Sequence, residues 1–119
     1  MGCTSRLSVY SLVKTALTPL SIPLAAISFI GQADDYIVYS IIDSPNTTIA
    51  DGKVTGASTR IQVDFNTKTG SKIPLIGEQI EDLLINTGFM RVGNRKDAYD
   101  PSSQYFYCHQ DFRFYERFK

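Results

Sequence analysis

Between Thr59 and Asn66 apolar and polar side chains alternate without a break, with Ile61, Val63 and Phe65 on one side and Arg60, Gln62, Asp64 and Asn66 on the other. Successive strand side chains point to opposite faces, so this segment places one row in a core and leaves the other for water or a partner. Such a strand cannot stand alone. Its apolar row needs neighbouring strands beside it and a second layer over it. From Leu7 the apolar residues Leu7, Tyr10, Val13, Leu17 and Leu20 recur at helical spacing, which predicts a first helix. Thr4 or Ser5 can accept its first free N–H groups, and Pro19 should end it at Thr18. After the turn Thr69-Gly70-Ser71, Pro74 opens a second helix with Ile76, Ile80, Leu83, Leu84 and Thr87 on one stripe and Gly88 as its cap.

The segment Ile22 to Ile30 and the run Tyr36 to Ile42 are rich in β-branched and aromatic residues and are separated by Gly31-Gln32-Ala33-Asp34-Asp35. They are expected to pair antiparallel as a hairpin. The second run is apolar on both faces, which places it centrally, with a helix on one side and another protein surface or a loop on the other. Turn formers fill the stretch from Asp43 to Ser58, so residues 44–58 read as a protruding loop or hairpin arm, with Ile49 and Val54 as apolar grips for a neighbour. Phe89 to Arg95 reads as a short strand, Asn94 to Ser103 as a turn-rich link, and Tyr105 to Phe118 as a long alternating strand. On that last strand Phe106, Cys108, Phe112, Phe114 and Phe118 share one face, and Tyr105, Tyr107, His109, Asp111, Arg113, Tyr115 and Arg117 the other. The order is therefore α-β-β-loop-β-α-β-β. This is a single α+β domain over residues 1–119, a mainly antiparallel sheet with two helices packed on it.

Composition narrows the functions available. At 119 residues, 43% hydrophobic and 20% charged, the chain suits one compact core. Its 12 basic and 12 acidic residues cancel, so no net field draws it to nucleic acid or an anionic membrane. Cys3 and Cys108 are too few for a disulfide framework and lack zinc-ligand spacing. Met1-Gly2-Cys3 is not expected to be myristoylated, because Arg6 stands where that pattern needs Ser or Thr. The apolar stretch Ala16 to Ile30 is broken by Thr18, Pro19, Ser21, Pro23 and Ser28, which fits neither a secretion leader nor a membrane span. Cytosolic synthesis is expected, and the glycosylation triplet Asn46-Thr47-Thr48 then has no consequence.

Catalytic constellations are missing. Cys108 and His109 are adjacent on a strand and so project to opposite faces, which defeats proton transfer between them. Asp34-Asp35 and Glu81-Asp82 are sequence neighbours that do not face one reacting centre, and Gly52 and Gly56 lack the ending of a phosphate-binding loop. Arg91, Arg95 and Lys96 are offset at once by Asp97 and Asp100 and read as a solvated loop face. No catalysis, cofactor or metal is expected. The tyrosine and arginine face of the last strand is either a partner surface or packing beneath the first helix. The candidate interface residues are Tyr36, Tyr39, Ile49, Val54, Tyr105, Tyr107, Arg113 and Tyr115.

Four stretches, SIPLAAISFIGQADDYIVYSIID, TRIQVDFNTKTG, IGEQIEDLLINTGFMRV and DAYDPSSQYFYCHQDFRFYERF, stand in an order that resembles the tail-terminator and tail-completion, or head-to-tail joining, proteins of long-tailed bacteriophages. The resemblance covers most of the chain after Ser21. It implies a homo-oligomeric ring, usually a hexamer, that stops tail-tube growth and docks the head connector. The implied partners are further copies of the chain, the major tail tube protein, and a head connector or neck protein. Viral DNA would pass through the lumen without sequence-specific binding, and no membrane is involved. The implied location is the head-tail junction of the virion, reached from the host cytoplasm during assembly. A head-closure or neck protein of the same virion is the alternative. A stand-alone binding module or small enzyme is the other, and an active-site constellation would distinguish it.

Overall fold

The structure, a computed structural model, describes residues 6–27, 31, 33–42, 46–50 and 53–117, with backbone alone at 6–8, 46–50, 53–57, 116 and 117. Helix α1 (Arg6–Leu17) runs into a single 3-10 turn at Thr18–Leu20, because Pro19 cannot donate to an α-helical ladder. Ser21 takes a left-handed conformation (φ 57°) and its N–H closes the turn on the Thr18 carbonyl at 3.0 Å. Strands β1 (Leu24–Ala26), β2 (Asp35–Ile41), β3 (Asn46–Ala50) and β4 (Lys53–Thr67) follow. Helix α2 (Lys72–Thr87) and the strands β5 (Phe89–Asp100) and β6 (Tyr105–Arg117) complete the chain. The expected caps at Thr4 and Ser5, and Phe118, lie outside the described residues.

One six-stranded sheet in the order β1-β2-β4-β6-β5, with β3 also on β4, carries both helices on one side. β4 organises it: its second half pairs antiparallel with β2, its first half with β3, and almost its whole length with β6. Fifteen residues at about 3.3 Å each give a strand of about 50 Å. That length sets the 52 Å long axis of a molecule only 25 Å across.

The alternation read from Thr59 to Asn66 is present as expected: Ile61, Val63 and Phe65 are at most 1% exposed. Across the ladder, Phe65 stands opposite Ile37 and Cys108, and Ile61 opposite Ile41 and Phe112, which builds an apolar floor. Val9, Val13, Ala16 and Leu17 of α1 and Ile73, Ile80, Leu84 and Gly77 of α2 close over it. The α2 stripe is thus shifted from its expected line, with Ile76 and Leu83 half-buried at its flank. Gly77 belongs to the contact because a Cβ there would lie 3.0 Å from both the Arg95 guanidinium and the Cys108 sulfur. Gly88 caps the helix at φ 114°, donating to the Ile85 and Leu84 carbonyls, as its position predicted.

Two expectations are corrected. β1 pairs with β2 parallel, Leu24 opposite Ile37 and Ala26 opposite Tyr39, and not as an antiparallel hairpin. Beyond β1 the Ile27 N–H still reaches the Tyr39 carbonyl at 2.8 Å. β5 does not stop at Arg95 but continues to Asp100, through a bulge between Val92 and Lys96 where Gly93 adopts φ 70°. The bulge sets four steps on β5 against two on β6, an even difference, so the alternation from Phe89 and Arg91 is kept and Arg95 and Asp97 lie on the α2 side with Cys108.

Candidate assembly surface

Both helices lie on one face of the sheet, and among the described residues no helix covers the other. Strand register arranges this open face in cross-strand rows. Tyr36, Asn66, Tyr107 and Ala98 form the first; Val38, Asp64, His109 and Lys96 the second; Ser40, Gln62, Asp111 and Val92 the third. In the fourth, Ile42 lies beside Arg60, whose carbonyl it meets at 3.0 Å, and Arg60 is followed by Arg113 and Met90. Tyr115 lies just beyond, opposite Ser58, and is exposed.

The middle rows are tied by polar side-chain contacts. His109 places Nδ1 2.7 Å from the Asp64 carboxylate and Nε2 3.1 Å from that of Asp111. Arg60 Nη2 donates to Asp111 at 2.7 Å, Gln62 Nε2 to Asp64 at 3.0 Å, and Arg113 Nη1 to the Ser58 hydroxyl at 3.0 Å. Toward the first row the surface becomes aromatic. The Tyr36 and Tyr105 rings meet edge to face at 5.4 Å, Lys68 lies 5.5 Å from the Tyr105 ring, and the Tyr105 hydroxyl donates to the Ala33 carbonyl at 2.5 Å. Burial, and then the neighbouring Tyr105 and Asp64, push the Tyr36 hydroxyl above its ordinary pKa. A shallow groove of about 380 Å³ opens here between Ile27, Tyr36, Val38, Asp64, Asn66, Tyr107 and His109. Ile27 stands exposed at its rim with φ 73°, a backbone conformation that strains a β-branched residue.

Of the candidate interface residues, Tyr36, Tyr105, Tyr107, Arg113 and Tyr115 share this face. Tyr39 does not. It is three positions from Tyr36, hence on the opposite side of β2, 5% exposed with its ring 5.8 Å from Tyr10. It is a core residue under α1, and the Ile41 N–H donates to the Tyr10 hydroxyl beside it at 3.2 Å. Ile49 and Val54 fall in the β3–β4 hairpin, opposite one another, but their side chains lie outside the described residues. The face read as a partner surface or as packing under α1 is thus separate from α1. Sequence reasoning missed Arg60, Ile42 and Met90, which register alone brings into line with Arg113.

The chemistry on the covered side is closed. Cys108 is fully buried, and burial, reinforced by a hydrogen bond with Asp97, pushes its thiol up to about 12. His109 is on the other face of β6, so the adjacent pair forms no dyad. Arg95 holds Asp97 with two hydrogen bonds of 2.9 Å, which keeps that carboxyl below its ordinary range against the opposing effect of burial. Arg91 approaches Glu81 at 3.4 Å. The basic cluster is therefore strand-borne and internally paired at Arg91 and Arg95, not a loop. Gln110, 1% exposed and not anticipated, donates from Nε2 to the Gly77 carbonyl at 3.0 Å. Among the described residues no three metal-ligating side chains are grouped to hold an ion, and no helix is long and apolar enough to cross a membrane.

No protein-family model and no curated protein matches this sequence. Solved structures do. A chain from the virion of a native gene transfer agent particle matches with a TM-score of 0.57 at 12% identity, over 94% of this chain and 93% of that one. A second solved protein, known by a sequence code alone, matches with a TM-score of 0.61 at 12% identity, over 97% and 96%. At such identity the likeness shows a shared fold, end to end.

Proposed function

We propose that this chain is a structural protein of a phage-like virion, of the tail-terminator or tail-completion type. It forms a ring, a hexamer, that caps the tail tube and joins the tail to the head connector. The observation that carries this reading is the end-to-end fold likeness to a chain of a gene transfer agent virion, which spans 94% of this chain. The open sheet face supports it, because Tyr36, Tyr105, Tyr107, Arg113 and Tyr115 give it the aromatic and arginine content that interface centres favour. The equal numbers of acidic and basic residues suit a ring through which DNA passes without being gripped.

The test is loss of the gene product followed by electron microscopy of the particles, with native mass spectrometry of the purified chain. Tubes of unregulated length beside unjoined heads, and a closed homo-oligomer in solution or in particles, are the expected results. Normal tails beside unjoined heads would move the protein to the neck. Intact, infectious particles lacking the chain would overturn the reading.

A further inference from the structure

The fourth row of the open face and the outer stripe of α2 carry one pattern in opposite charge. The row reads Ile42, Arg60, Arg113, Met90: apolar, basic, basic, apolar. The solvent side of α2 reads Leu75, Glu78, Asp82, Ile85 at spacings of three, four and three, which keeps the four on one helical stripe: apolar, acidic, acidic, apolar. Three inter-strand steps of about 4.8 Å make the row about 14 Å long. Ten residues at about 1.5 Å make the stripe about 15 Å long. The ends are exposed where a monomer gains nothing by exposing them: Ile42 40%, Met90 58%, Leu75 59% and Ile85 47%.

We propose that the Ile42–Arg60–Arg113–Met90 row of one copy receives the Leu75–Glu78–Asp82–Ile85 stripe of the next. This contact rests on the ring reading and names its subunit interface. Arg60 and Arg113 stand directly opposite one another on β4 and β6, a like-charge pair that opposes sheet pairing. Asp111 offsets Arg60, and the Ser58 hydroxyl accepts from Arg113, so both arginines are held in place on the face that the proposed contact uses. Glu78 and Asp82 are exposed and, among the described residues, make no ion pair within the chain. The sheet separates the two surfaces, since α2 covers the face opposite the row. A contact between them is head-to-tail. It cannot satisfy itself in a two-fold dimer, and it closes a ring when the steps complete a turn.

Charge reversal tests the contact in the full chain. One variant carries Glu78→Arg with Asp82→Arg, the other Arg60→Glu with Arg113→Glu. Each alone is expected to assemble about 100-fold more weakly than the wild type in native mass spectrometry and sedimentation, because like charges would meet at every junction. An equimolar mixture is expected to recover rings of even subunit number in which the variants alternate. Where the isolated wild-type chain stays monomeric, the same variants are scored in purified particles. A ring retained by the α2 variant, or no recovery on mixing two folded variants, overturns this contact and leaves the ring standing. A wild-type chain that forms no ring in solution or in particles overturns the ring and the contact together. Should the arginine variant fail to fold by circular dichroism, the α2 variant and Leu75→Asp, altered only at exposed positions, must each lose assembly; retention in either overturns the proposal.

Discussion

The two faces of β4 are built from alternate residues of one strand and do different things. On the covered face Ile61, Val63 and Phe65 have almost no exposed surface. On the open face Arg60, Gln62, Asp64 and Asn66 stay half-exposed, and each takes part in a side-chain hydrogen bond. One face lies under the two helices, and among the described residues no helix covers the other. Because the two sets of side chains never share a side of the sheet, a substitution at an exposed position of the open face leaves the core packing in place.

The largest separation is expected at Leu84. Leu84→Ala removes a fully buried side chain and should lower stability by about 2–5 kcal/mol in urea unfolding, with Leu83→Ala, at the half-buried flank, lowering it less. A loss at Leu83 equal to that at Leu84 would mean that the stripe is drawn wrongly. Gly77→Val should follow at about 1–3 kcal/mol, because its side chain would enter space held by Cys108 and Arg95. A neutral result there would show that the helix rides higher over the sheet than described.

A smaller effect should appear in acid. Asp97 is held below its ordinary pKa of 3.8 by the hydrogen bonds from Arg95, with burial opposing them. A depressed folded pKa gives stability that is present above 3.8 and is lost as the pH falls through the lower folded value. Thermal melts recorded below that pH should therefore be flatter for Asp97→Asn than for the wild type, and parallel curves would remove the pair from the stability of the fold. The smallest effect belongs to the open face: Tyr115→Ala should change stability by less than about 1 kcal/mol while weakening self-association. A large melting shift at this exposed position would blur the division between the faces.

The sequence disclosed the covered face better than the open one. Thr59 to Asn66 was legible because a strand buried on one side must alternate, and Gly88 because a helix end needs a left-handed residue. Tyr39 was not, since β2 is apolar on both sides and only its pairing with Val63 sets which side is inward. The parallel course of β1 was hidden because a short turn-rich link normally joins antiparallel strands, and parallel ones usually need a dozen or more residues. β5 was cut short because Arg95, Lys96 and Asp97 read as loop. A two-residue count from Phe89 places Arg95 and Asp97 on the covered side once the strand is carried past Gly93, and it was the early end at Arg95 that hid them. The row of Ile42, Arg60, Arg113 and Met90 draws on three strands and the residue that follows β2, and nothing in their spacing along the chain links them.

The seam between β4 and β6 also fixes the order of events on the ribosome. Thr67 pairs with Phe106 and Gly56 with Arg117, so the seam joins residues roughly forty to sixty positions apart, whereas the β3–β4 and β5–β6 hairpins close locally. At about 5–20 residues per second, β4 emerges seconds before the strand that completes it. Through that interval a fifteen-residue strand has one unpaired edge and an apolar row without its floor. On a crowded polysome the β6 of another nascent copy can reach it first, so exchange of β6 between copies is the misassembly to which this topology is most open.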